Sequence, residues 1–433
     1  MDSTQALSLE SELRAARSDL IPAAIGGEFV LPWYGGRSLA NVPATVAALL
    51  GCEPIGTLPP LEPPYWRDQF GDVEHVVLVL LDALGYLQFQ EMLALDPEGA
   101  FNRLAGNGLL LPMTSICPST TATALVTLGT GVSPATHGML GYELWLREYG
   151  VLVEMLGVKP IYAQGTTQLL DWGFVPETFV PTPGVGAMLG AQGVRTSAHV
   201  AQQFVASALT RACYRGFERV IGHAGLRSLW DNVGEDLRQA AGRRSFHYVY
   251  WGGIDKAIHS YGADTDDWRA AYGDVSAIFG AWLYGWLQGG ALPNTLVAIC
   301  ADHGFVSTPS EAAFASEDRA FSDLMLVPCS GESRLTYLHT LAGVSSATQA
   351  ALEGALGQDY VVVEAQRALA AGLFGPGPVY SETPMRLGHY IALARGQHYI
   401  DRLNRAAWMR GRHGGLAPQE MLVPWLAARA DAL

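Results

Sequence analysis

Three stretches of the chain carry almost no polar residue, and each stops near an acid. His75 to Leu81 (HVVLVLL) ends at Asp82, Phe246 to Trp251 (FHYVYW) leads to Asp255, and Thr295 to Cys300 (TLVAIC) leads to Asp302 and His303. A short Val- and Leu-rich run without alternation is what a parallel strand covered on both faces requires. Each run is followed by helical text, as at Trp268 to Leu287. Strands alternating with helices predict an α/β fold, a mostly parallel central sheet sandwiched by helices. Ligands of such sheets gather beyond the carboxyl ends of the strands. Three acids at three strand ends are therefore the informative pattern.

The remaining text is arranged around this centre. Residues 1–69 open on an amphipathic stretch and continue with Gly- and Pro-rich pieces (IGGEFVLPWYGGRS, IGTLPPLEPPYW), which suits an N-terminal wrapping segment. The catalytic core is expected over 70–305. From 306 to 407 short strand-like pieces (LMLVP, YVVVEA, HYIALA) and the loop GLFGPGP predict a smaller inserted α+β cap. Residues 408–433 read as a return to the core, carrying His413 and ending in a C-terminal helix. No internal repeat or low-complexity segment is visible.

Composition narrows the chemistry. With 49% hydrophobic and 16% charged residues in 433, the chain can bury a large core. Its net charge, 27 − 41 = −14, repels polyanions and argues against a nucleic acid duplex or a membrane surface as partner. A small phosphorylated substrate remains compatible if bound cations reverse the sign locally. The five cysteines (Cys52, Cys117, Cys213, Cys300, Cys329) show no CxxC spacing and read as reduced core thiols. The first twenty residues lack the apolar core of a secretory signal, and no window reaches the roughly 18 apolar residues of a spanning helix. A cytoplasmic location is the expectation.

Asp255 and His259 stand four apart in GGIDKAIHSYG, so one helical face presents both, as two ligands of one metal require. Asp302 and His303 (ICADHGF) are adjacent, but a loop at a strand end can turn both inward. Three carboxylates crowded into one crevice repel one another unless cations hold them, and His259, His303 and His413 supply the nitrogen ligands that zinc prefers. Two divalent ions fit the count, zinc first and manganese as the alternative. The hydroxyl-rich segment CPSTTATALVTLGTG leaves open which oxygen reacts.

Taken in order, these motifs resemble the alkaline phosphatase superfamily, type I phosphodiesterase/nucleotide pyrophosphatase branch. Asp82 in LLDALG, PSTTATALVTLGTG ending in THG, Asp255 with His259, Asp302 and His303 with Gly304, and His413 with Gly414 follow the branch's sequence of motifs from residue 82 to residue 414. The resemblance implies that Thr121, three residues after Pro118 and nine before Thr130, is the nucleophile. Ser119, Thr120 and Thr123 are then capping or packing neighbours. It also implies that Asp82, Thr121, Asp302 and His303 hold one metal and Asp255, His259 and His413 the other. Two dications and three carboxylates sum to +4 − 3 = +1, so the pocket attracts a phosphoryl anion although the chain is acidic. The implied mechanism is attack by Thr121 on phosphorus, a phospho-threonine, and hydrolysis by water.

The pattern departs from the branch in one place. Where nucleotide pyrophosphatases carry an Asn after the H-G motif, this chain reads HGMLGYELW, which leaves Tyr142, or Glu143, as the candidate substrate contact. His137 reads as a residue ordering the loop after the nucleophile helix. The late stretch GRHGGLAPQEMLVPW is also similar to the end of PglZ-type domains. Sulfatases do not fit, since CPSTT lacks the C-x-P-x-R spacing, and Cys117 is not favoured as nucleophile. Arg334 and His339 in the cap, and Lys256 beside a ligand, read as solvated charges in preference to leaving-group contacts. The expected function is a metal-dependent phosphodiesterase or nucleotide pyrophosphatase acting on a small phosphorylated substrate. A phosphomonoesterase or phosphomutase of the same superfamily, and a non-catalytic metal-holding binding or defence module, are the alternatives.

Overall fold

Seven strands form the central sheet: β1 (His75–Leu81), β2 (Leu109–Thr114), β3 (Arg195–Ala201), β4 (Arg219–His223), β5 (Ser245–Trp251), β6 (Thr295–Cys300) and β7 (Leu422–Arg429). The order across the sheet is β2-β7-β6-β1-β5-β3-β4. In this computed structural model residues 3–71, 73–162, 167–263, 265–289, 294–402 and 409–430 are described. Strand β1 is buried at every position because it has parallel neighbours on both sides, β5 and β6, and this is why its sequence shows no polar alternation. The remaining parallel pairs are β3 with β4 and β3 with β5, while β7 runs antiparallel between β2 and β6.

Four helices matter for the site: α1 (Thr121–Thr130), α2 (Leu226–Gln239), α3 (Gly253–Tyr261) and α4 (Asp266–Gln288). Helices α2 and α4 lock together through Trp230, Phe279 and Trp282, whose rings pack at 4.8–6.0 Å between centroids. The N-terminal stretch is tied to the core by backbone bonds, Val30 N to Leu416 O among them, and the Tyr34 hydroxyl accepts a hydrogen bond from the Cys117 amide ahead of α1.

Two expectations about organisation need correction. The C-terminal helix is a strand: after a single turn at Pro418–Met421 the chain enters β7, inside the sheet. Alanine-rich LVPWLAAR looks helical by propensity, but it is flanked on both edges and buried almost throughout, and tertiary packing overrides a weak local preference. The cap is also not confined to 306–407. A second seven-stranded sheet, antiparallel throughout, joins Tyr360–Glu364, Tyr390–Ala394, Leu335–Leu338 and Ser330–Gly331 to Glu143–Leu146, Val151–Glu154 and Lys159–Pro160. The segment that follows α1 thus completes the cap, and residues 403–408 and 431–433 of the expected domains lie outside the described residues. All five cysteines are free. Among the described residues no helix is long and apolar enough to cross a membrane.

Candidate active site

Strands β1, β5 and β6 deliver the acids to one place. Asp82 follows β1 directly, its amide donating to Trp251 O at the end of β5. The next residue, Ala83, takes a left-handed conformation (φ 65°), a turn that costs a non-glycine residue energy and that aims its amide at Asp302 Oδ1, 3.1 Å away. Asp302 Oδ1 also accepts from the His303 amide at 3.0 Å, so two backbone donors fix the carboxylate. Its other oxygen, Oδ2, is buried without a hydrogen-bond partner and lies 3.5 Å from His303 Nε2. Gly304 is required next to it, since a Cβ there would sit 2.0 Å from Gln419 O.

On α3 the spacing of four does what the sequence predicts: Asp255 Oδ1 and His259 Nε2 are 3.2 Å apart. His413 Nε2 approaches the same Asp255 oxygen to 3.9 Å, and its ring stacks on that of His303 with centroids 3.6 Å apart. Asp82, Asp255, His259, Asp302, His303 and His413 therefore meet, and Thr121 stands among them. Its Oγ1 lies 3.2 Å from His303 Nε2 and 3.5 Å from both oxygens of Asp82. Of the neighbouring hydroxyls, Ser119 donates to Gly415 O and Thr120 occupies the N-cap position without a side-chain cap bond. Thr121 is the first residue of α1, where amides preceding the first internal bond, Ala124 N to Thr120 O, favour an anion.

The three histidines share one further feature. His259 Nδ1 is 2.8 Å from Gly411 O, His303 Nδ1 is 3.0 Å from Gly304 O and His413 Nδ1 is 3.2 Å from Ser119 O. Each carbonyl can only accept, so each ring carries a proton on Nδ1 and turns Nε2 toward the carboxylates. This is the tautomer and outer bonding of a metal-ligating histidine. Against the effect of burial, the neighbouring Asp255 carboxylate raises the His259 imidazole above its ordinary value. Burial, together with Asp302 and Asp255, pushes the Asp82 carboxyl well above its ordinary range, the mark of crowded acids lacking countercharge. Burial, together with His303 and His259, drives His413 well below the usual imidazole value, which keeps it neutral. The donor set fits divalent cations.

Reasoning from sequence missed two residues. Tyr250, on β5, donates its hydroxyl to Asp82 Oδ2 and orients that carboxylate. An aromatic hydroxyl near the end of an otherwise apolar strand is the signal that could have found it. Glu332, from the cap, lines the site and accepts the Tyr142 amide at 2.6 Å. Tyr142 itself lies at the cavity containing Thr121, Asp255, His259 and His413. His137 is internal. Desolvation and Arg386 lower its imidazole to about 3 and keep it neutral; it bonds Thr127 Oγ1 at 2.9 Å and accepts the Met139 amide at 3.1 Å, fixing the turn after α1.

The cap charges are a third correction. Arg334 is not solvated but a fully buried partner of Glu420, at 2.8 Å, so it locks cap to core. His339 is buried as well, and desolvation lowers it to about 4. Both read as surface charges in sequence because the strand they flank, Leu335–Leu338, pairs with Tyr390–Ala394 from distant text. Lys256 is exposed, at the edge of a cavity that also reaches Asp82 and Thr121.

The family model for type I phosphodiesterase/nucleotide pyrophosphatase matches residues 76–414, an interval that begins in β1 and closes on the glycine after His413. The chain belongs to the type I phosphodiesterase/nucleotide pyrophosphatase family. As a family member it is a phosphoester hydrolase. Among solved structures it is similar to murine ectonucleotide pyrophosphatase/phosphodiesterase 5, at 14% identity over 82% of this chain and 89% of that one, with a TM-score of 0.64. It is also similar to phosphonoacetate hydrolase from Sinorhizobium meliloti in complex with phosphonoformate, at 16% identity over 82% and 93% of the two chains, with a TM-score of 0.58. At such identities the likeness establishes the fold, and the family assignment rests on the sequence match. No curated protein matches significantly.

Proposed function

We propose that this family member hydrolyses phosphodiesters or pyrophosphates of small molecules, with Thr121 as nucleophile at a centre of two divalent ions. The observation that carries the diester reading is that Thr121 and Asp255 border two cavities rather than one. The first, about 240 Å³, is lined by polar groups that include Tyr142, Glu332 and Arg412. The second, about 360 Å³, is largely apolar, with Leu125, Val200, Phe204, Leu209, Tyr214 and Trp251 in its walls. A phosphoryl group held at Thr121 with one substituent in each cavity is a diester or a pyrophosphate, whereas a monoester would leave one cavity unused. The murine protein has also been solved as an inactive Thr-to-Ala variant in complex with AMP. That pairing supports a threonine-dependent reaction and a nucleotide ligand in the murine protein, and we extend both to this chain.

Asp82, Thr121, Asp302 and His303 would hold one ion, and Asp255, His259 and His413 the other. When bound, such ions lower the pKa of a ligated hydroxyl and neutralise charge on the phosphoryl oxygens. Three imidazole nitrogens in the set favour zinc over manganese. Tyr250 keeps Asp82 in place, and the amides opening α1 favour the phosphoryl anion. Thr121 Oγ1 loses its proton to solvent and forms a bond to phosphorus as the bond to the leaving oxygen breaks, and that oxygen takes up a proton. Water then attacks the phospho-threonine on the opposite side, the Thr–O–P bond breaks and Thr121 is restored.

With zinc or manganese added, the purified protein should hydrolyse a chromogenic phosphodiester at least about tenfold faster than the matching monoester, a margin of about 1.4 kcal/mol that filling part of an apolar cavity can supply. Faster monoester hydrolysis would reassign it as a monoesterase. No turnover of either would favour a metal-holding binding or defence module.

A further inference from the structure

A second group of metal-ligating side chains lies on the sheet, apart from Thr121 and its neighbours. His199 on β3, His247 on β5 and Asp236 on α2 bring ligand atoms within 4.8 Å of one another, and all three side chains are buried. His247 stands three residues before Tyr250 on β5, about 10 Å back along the strand, and the odd spacing turns it to the opposite face of the sheet. This group shares no residue with the proposed catalytic centre.

The geometry is that of ligands around a common point. His199 Nε2 is 3.6 Å from Asp236 Oδ2, and His247 Nδ1 is 3.1 Å from the same oxygen. These separations are close to those at the proposed catalytic centre, 3.2 Å for His259 with Asp255, 3.5 Å for His303 with Asp82 and 3.9 Å for His413 with Asp255. Close as they are, His199 Nε2, His247 Nδ1 and Asp236 Oδ2 make no well-formed hydrogen bond, and each atom is fully buried. The same signature marks Asp255 Oδ1 and Asp302 Oδ2 at the other centre. A buried polar atom without a partner is costly, and three aimed at one another need something between them.

The surroundings orient this set. His247 Nε2 lies 2.8 Å from Ser245 Oγ, which in turn lies 2.8 Å from His75 Nδ1, so an Nε2–H donated to Ser245 leaves Nδ1 bare toward Asp236. Ser197 stands directly opposite His247 in register, and its buried hydroxyl is one of the neighbours that hold the Asp236 carboxyl below its ordinary range. Arg195 and Arg219 bind the other carboxylate oxygen, Oδ1, at 2.8 and 2.7 Å, which fixes Oδ2 toward the imidazoles. Their positive charge opposes a cation: Arg219 is 41% exposed and screened by water, whereas Arg195 is 11% exposed, and both guanidinium groups stay on the Oδ1 side, where Gln239 Oε1 accepts from each.

We propose that His199, Asp236 and His247 form a structural zinc site that ties α2 to β3 and β5. Two imidazoles and a carboxylate are ligands that zinc takes, and the Ser197 hydroxyl offers an oxygen to complete four-coordination. The ion would be acquired during folding, since the site has no exposed side chain, and it would outlast the catalytic pair under chelation. It would hold β3 beneath the apolar cavity, whose wall includes Val200 and Ala201 from the same strand.

The test is metal content after expression in zinc-supplemented medium and desalting. Wild-type protein should carry three zinc ions per chain, and His199→Ala with His247→Ala should carry two. Anomalous diffraction at the zinc edge on wild-type crystals reads the site without a variant, and should place a peak about 2.0–2.1 Å from His199 Nε2 and His247 Nδ1. A wild-type content of two that the double variant leaves unchanged, or a map with zinc only between Asp82 and His413, would overturn the proposal. If the double variant does not fold, the wild-type map decides.

Discussion

Replacing Thr121 by alanine should lower the rate on a chromogenic phosphodiester by at least about a thousandfold, since loss of a covalent nucleophile costs that much or more. The oxygen removed is the one hydroxyl of the Ser119–Thr123 segment that contacts both Asp82 and His303. Substrate binding should change much less than turnover, because the two cavities, the carboxylates and imidazoles, and the amides of α1 are unaltered. The variant should fold, since Thr121 Oγ1 supports no backbone group. Thr121→Ser keeps an oxygen at the same place and should retain most of the activity. Steady-state kcat and KM on the three proteins check this. An alanine variant with full turnover would remove Thr121 from the mechanism.

Chelation is the second large effect. A strong chelator should abolish diester hydrolysis, and zinc or manganese should restore it, because among the described residues no Lys or Arg pairs with the three carboxylates that meet three imidazole Nε2 atoms at the centre. Stability should follow the metal. At free zinc a hundredfold above each Kd, two ions stabilise the folded chain by about 5 kcal/mol. For a chain of this length, with an unfolding entropy near 2.1 cal/mol/K per residue, that raises Tm by about 6 °C. Differential scanning fluorimetry with and without zinc reads this shift, and a melting curve indifferent to both zinc and chelator would contradict a metal centre.

Much of the centre was legible in the sequence because its residues sit where regular structure ends. An apolar run followed by an acid locates Asp82 and Asp302, since only a strand covered on both faces needs such a run and only its carboxyl end faces ligands. The spacing of Asp255 and His259 is that of a helix face. What stayed hidden depends on contacts between distant segments. Strand β7 carries alanines that suit a helix, and only its place between β2 and β6 makes it a strand. The cap takes strands from within the core text as well as from after it because Gly331 pairs with Glu143 across nearly two hundred residues, a register no local pattern records. Tyr250 and Glu332 reach the site from text that reads as ordinary strand and loop. His199, Asp236 and His247 have no common spacing at all. Two parallel strands and the helix packed on them bring these three together, and a single histidine inside RTSAHVA or SFHYVYW looks like any buried strand residue.

The stereochemical course at phosphorus tests the central claim most directly. A phosphorothioate diester of known chirality, hydrolysed by the zinc-loaded protein in oxygen-18 water, should give a product of retained configuration, because attack by Thr121 and attack by water each invert. Net inversion would mean that water displaces the leaving group in one step and that no phospho-threonine forms.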